Sequence, residues 1–145
     1  MKTVKLTPME MYQAGIVGLA RRIDSMQRRL NGCPLNGWQI DIEGALAEMA
    51  FAKAMGVYAG LTINNYKGAD IGEYHVRSSV KADACLIIRP EDDPSAVYVL
   101  VTGAEGDYTV HGWIKGSDAR NEDYWMAPNN RPGAWFVPQS ALMGL

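Results

Sequence analysis

Ionisable side chains crowd into one short stretch, GADIGEYHVRSS at residues 68–79, which puts Asp70, Glu73, His75 and Arg77 within eight residues. Asp70 sits between glycines, as a turn former does, and the residues after it alternate like a strand. On that spacing Glu73, His75, Arg77 and Ser79 share one face, and Tyr74, Val76, Ser78 and Val80 the other. A second feature lies upstream, in DIEGALAEMAFAKAM at residues 41–55. Glu43 and Lys53 each fall about 140° from Glu48 on a helical wheel and mark the wet side. Glu48 then points inward, among Ala45, Phe51, Ala52 and Met55. An inward carboxylate is costly unless it is paired, hydrogen-bonded, metal-bound or protonated. A helical Glu, a turn Asp and a nearby cation are the parts required to hydrolyse a phosphodiester with a metal. Hard cations such as Mg²⁺ take one or two carboxylates and fill the remaining positions with water, while a guanidinium stabilises charge on the phosphate. Each residue also has a plainer reading: Asp70 as a turn residue, His75 as a surface histidine, Arg77 as an ion-pair partner. Glu48 could be a buried acid satisfied by Arg77 or by a backbone group, or could sit at a wet helix end.

Helices and strands must position these groups. Thr7, Pro8 and Glu10 form a capping box that opens a helix over about 8–30. Tyr12, Ile16, Leu19, Ile23, Met26 and Leu30 make one apolar stripe along it. Arg21, Arg22, Arg28 and Arg29 then decorate a solvated face, or alternatively contact phosphate. NGCPLNG is a loop, and a second helix runs from about Asp41 to Met55, stopping at Gly56. Strands come next: EYHVRSS, the short CLIIR, the apolar run AVYVLVTG with the texture of a central strand covered on both faces, and the alternating YTVHGWIKG. Ser117 caps a short helix, and GAWFV is a last, edge strand stopped by Pro138. This order predicts a single domain over 1–145, with its core at about 38–138. The fold class is α/β or α+β, with a mixed central β-sheet of about four to five strands flanked by helices.

The span from DIEGALAEMAFAKAMG through GADIGEYHVRSS, LIIRPEDD and YVLVTG to VHGWIKGSDA, about residues 38–138, resembles the PD-(D/E)XK, restriction-endonuclease-like superfamily, and within it small phage- or prophage-encoded members. In that family a helix supplies a Glu, an Asp comes after it at a turn, and the next strand carries (D/E)xK. The resemblance makes Glu48 the helical Glu, Asp70 the metal-binding Asp, His75 the occupant of the D/E position and Arg77 that of the Lys. It implies a metal-dependent nuclease acting on DNA, with Mg²⁺ or Mn²⁺ held by Glu48 and Asp70, helped by Glu73 or His75, and with the scissile phosphate on Arg77. Arg28, Arg29, Lys115 and Arg120 would grip the DNA backbone. His75 departs from the pattern, since an imidazole suits Mn²⁺ or a transition metal better than Mg²⁺. Arg77 keeps the charge of the Lys but cannot act as a base. On this reading the carboxylates of Glu48 and Asp70 converge on one cleft with Arg77. The alternatives are an inactive domain of the same fold that binds nucleic acid or a protein partner, and a structural or assembly protein.

Other positions carry less. RPEDDPS reads as a hairpin turn, His111 as a strand residue beside Trp113, and YWMAPNNRPGAWF as core and loop rather than a base-stacking platform. IKGSD lacks the spacing of a P-loop. Two cysteines, Cys33 and Cys85, give no disulfide framework or zinc pattern, and a formal charge of −2 over 145 residues creates no global field for nucleic acid. No signal peptide or membrane span is legible, so a cytoplasmic location without membrane contact is expected. A homodimer is left open, with no heptad or exposed apolar helix face read in its favour.

Overall fold

The computed structural model describes residues 1–28, 37–63 and 68–145. Along the chain lie β1 (Lys2–Lys5), α1 (Pro8–Gln27), α2 (Gly37–Met55), β2 (Tyr74–Ser79), β3 (Leu86–Ile88), β4 (Val97–Ala104), β5 (Asp107–Lys115), α3 (Gly116–Ala119), β6 (Trp125–Met126) and β7 (Ala134–Val137). The fold is α+β. Its main sheet is mixed, in the order β1-β5-β4-β2, with β2 parallel to β4 and the other pairs antiparallel. A second sheet, β3-β7-β6, is antiparallel. Among the described residues no helix is long and apolar enough to cross a membrane.

The apolar run of β4 is explained by what lies on each side of it. Val99 and Val101 pack with Ala45, Ala47, Phe51 and Ala52 of α2. Tyr98 and Leu100 pack with Leu86, Ile88 and Val137 of the second sheet. Alternate side chains thus enter two separate cores, and both sets must be apolar. β5 alternates between buried and half-buried positions, as its sequence pattern suggests. The second sheet has no counterpart in the sequence reading. Within it β7 is the middle strand rather than an edge, although Pro138 does end it. β1 is likewise additional, and α3 is capped at Lys115, with no side-chain bond from Ser117.

The capping box of α1 forms as expected: Thr7 Oγ1 accepts from the Glu10 N–H, and Glu10 Oε2 accepts from the Thr7 N–H. The apolar stripe does not behave as a core face. Tyr12, Ile16, Leu19, Ile23 and Met26 are exposed, and Ala14, Gly18 and Arg22 are buried instead. The cause is the closeness of the helix crossing. A Cβ on Gly18 would stand 2.5 Å from the Cα of Ile42 in α2, so only small residues fit at this contact. α2 is therefore covered on both sides, by α1 and by the main sheet. Glu43, expected on the wet face, accepts a 2.6 Å bond from the Tyr108 hydroxyl of β5. Burial and that carboxylate together push the Tyr108 pKa far up.

The glycine contact and the capping box each carry a consequence for stability. Gly18→Ala should destabilise by about 1–3 kcal/mol, the cost of overpacking. Gly15→Ala, with nothing within 4 Å of its added methyl, should stabilise by about 0.5–1 kcal/mol; urea denaturation measures both. Glu10 is held below the usual carboxylate range, first by the Lys53 ammonium at 2.9 Å and then by the Thr7 N–H. Its contribution is present above the ordinary value of 4.5 and is lost as pH falls through the lowered folded value. In thermal melts Glu10→Gln should therefore unfold earlier than the wild type at neutral pH and match it in acid.

Candidate functional site

Among the described residues the main sheet ends at β2, and the ionisable residues gather around that edge. Asp70 precedes the strand in a turn closed by bonds between Ile71 and Tyr74, and its Oδ2 accepts from the Val76 N–H at 2.7 Å. Asp70 thereby fills an unpaired donor of the edge strand, and its Oδ1 has no partner among the described residues. Pairing of β2 with β4 sets His75 beside Tyr98 in register. His75 stacks on the Tyr98 ring with centroids 5.2 Å apart, and the Arg77 guanidinium lies 5.1 Å from the same centroid. Tyr74 and Val76, which alternate with them, turn to the core beneath α2. His75 and Arg77 thus lie on one face of β2, while α2 and Glu48 lie over the other.

Glu48 is buried, as its inward position predicts. Its partner is Arg21 rather than Arg77. Arg21 Nη1 and Nη2 donate to the two carboxylate oxygens at 2.8 Å each, and Nε donates to the Thr62 carbonyl at 2.7 Å. This is the planar fork geometry that guanidinium and carboxylate make best. Burial pushes the Glu48 pKa up, Arg21 pulls it back, and the charge of Asp70 pushes it up further. Burial works against the Arg21 charge, yet Glu48, with Asp70 and Asp41 adding to it, offsets that cost and the Arg21 pKa rises. Arg21 and Arg22 are therefore not on a solvated face. Arg22 is buried 3.3 Å from Asp41, at an angle that leaves Arg22 Nε and Asp41 Oδ2 without a hydrogen bond among the described residues.

Arg77 pairs with Asp92 at 2.8 Å, and its Nε is buried with no hydrogen-bond partner among the described residues. Asp92 Oδ2 also accepts from the Arg89 N–H, and its carbonyl accepts from Arg120 at 2.6 Å. The turn RPEDDPS is thus a turn and also a wall of the site. Sequence reasoning misses its acid because a Pro-flanked acidic turn has an adequate local explanation. These groups border one open cleft of about 690 Å³, lined by Arg21, Glu48, Asp70, His75, Arg77 and Asp92 among others.

The other candidates fall elsewhere. Glu73 is exposed in the turn before β2, is not part of the strand and does not line the cleft. Lys115 is exposed outside the cleft. Arg120 is spent on structure, donating to the carbonyls of Gly116 and Asp92 and lying over the Trp135 ring. Arg28 is exposed and pairs with Asp24, and Arg29 lies outside the described residues. His111 occupies a bulge of β5, bonds Thr102 at 2.7 Å and does not line the cleft.

A hard divalent ion needs one or two carboxylates and keeps several waters. Asp70 is close enough for its charge to raise the proton affinity of Glu48, and an open Asp70 oxygen is the donor type required. The two acids fit such an ion in number and kind, although among the described residues no three His, Cys, Asp or Glu groups cluster as metal ligands.

Removing one partner of the Arg21–Glu48 fork strands the other in a half-buried setting. Glu48→Ala should cost about 2–4 kcal/mol in urea denaturation, with Glu48→Gln, which still accepts a bond, costing less. In comparisons with protein-family models, with curated proteins and with solved structures, none matches this chain.

Proposed function

We propose that the chain is a nuclease-like domain of the restriction-endonuclease-like type, hydrolysing DNA phosphodiester bonds with Mg²⁺ or Mn²⁺. The observation that carries this reading is the meeting of Glu48, Asp70 and Arg77, from a helix, a turn and a strand, around a single cleft at the edge of a mixed sheet. Asp70 and Glu48 would hold the ion, which supplies positive charge to the scissile phosphate and activates water. Arg77, whose side chain is about one-third exposed, would offer the accessible side of its guanidinium to a phosphate oxygen, and Tyr98 and Asp92 fix the plane of that group. Arg21 balances the Glu48 charge and would have to give up at least one of its two bonds for Glu48 to hold an ion. His75, stacked on Tyr98, is better placed to orient a phosphate or water than to complete a carboxylate set.

A second reading has its own support in the Arg21 fork, which already satisfies both oxygens of Glu48. On that reading the guanidinium stands permanently where the ion would, and the cleft binds nucleic acid without cutting it.

Plasmid and single-stranded DNA incubated with the purified protein and either ion separate the two. Nicking should appear and should fall by about 100-fold or more in Asp70→Asn, the scale of losing one transition-state contact. Binding without cleavage in either ion, or a rate untouched by Asp70→Asn, would overturn the enzymatic reading.

A further inference from the structure

The outward face of α1 has a pattern that the rest of the molecule does not use. Met9, Tyr12, Ile16, Leu19, Ile23 and Met26 are each between 42% and 68% exposed. Their spacing is three, four, three, four, three, which is a heptad seam rather than the broader stripe of a helix on a core. Leu30, next in the series, lies outside the described residues. Met9, Ile16 and Ile23 fall at a positions, and Tyr12, Leu19 and Met26 at d. Isoleucine at a with leucine at d is the combination that favours two strands.

We infer that this seam pairs with α1 of a second copy of the chain, forming a two-fold dimer through a short coiled coil. Six side chains of this size, each about half open, expose on the order of 500 Å² of apolar surface, within the range where the largest patch on a monomer is often functional. Two such faces together remove about 1,000 Å², the lower bound of a specific interface. The flanks suit self-association. Gly15 and Ala20 are small, and nothing lies within 4 Å of a Cβ built on Gly15, so a second helix can come close. Gln13 and Gln27 are neutral, and the cations that would repel their own copies are turned away, Arg21 to Glu48 and Arg22 to Asp41. A face that meets itself thus brings no like charges together at its centre. None of the six seam residues lines the cleft, so pairing through them leaves its walls in place.

Analytical ultracentrifugation of the full chain over a concentration series tests this. The wild type should pass from one chain mass to twice that mass. Ile16→Asp/Ile23→Asp should remain at the single mass, with a far-UV spectrum and cooperative unfolding like those of the wild-type monomer. If that variant unfolds, Ile16→Ser/Ile23→Ser repeats the comparison without buried charge. A wild type that stays monomeric at the highest concentration, or a folded variant that still doubles its mass, would overturn the inference. Asp70→Asn should dimerise like the wild type, so the outcome stands apart from whether the cleft cuts DNA.

Discussion

The two-pronged bond from Arg21 to Glu48 is the interaction around which the rest of the chain is arranged. It crosses from α1 to α2, and through Thr62 it also reaches the segment that leads toward β2. The helices can come close enough for it only because Gly18 meets the backbone of Ile42. That contact consumes the small-residue face of α1 and leaves the large apolar residues outside. One ion pair and one glycine together decide which side of α1 is core, which side is surface, and that an acid lies under the rim of the cleft. A buried pair of this kind is weak evidence for stability in itself. Its main effect is to hold three segments in one arrangement.

Much of the main sheet is legible in the sequence because each strand obeys a local rule. β4 reads as central from its unbroken apolar run, and β5 as half-covered from its alternation. The inward turn of Glu48 comes directly from the wheel. The direction of α1 does not, since an apolar stripe normally marks the core and the counter-evidence, a glycine at a crossing, acts only once the partner helix is known. The same holds for Arg21. Arginines late in a helix have an adequate solvated reading, and only α2, packed alongside, supplies the acid. Asp92 is hidden by a good local explanation, and Glu73 is promoted by a strand that begins one residue later than the alternation suggests.

The cleft divides its chemistry between the two faces of one edge strand. Over one face lie Glu48 and Arg21, over the other lie His75, Arg77 and Tyr98 with Asp92 paired to Arg77, and Asp70 bonds the edge of the strand itself. The strand is thin, so side chains from both faces can reach a group seated at its rim. An edge strand has a free row of backbone donors, and in most sheets that row is something to be covered. Here it is where the ionisable residues collect.

Asp70 has a second effect through that placement. By accepting the Val76 N–H it occupies a position that a strand from another molecule would need in order to add to the sheet, and it sets a negative charge there. The residue with the best-placed open oxygen for a ligand is also a guard against aggregation through the edge. Replacing the acid would therefore open the edge to a foreign strand whatever the cleft binds.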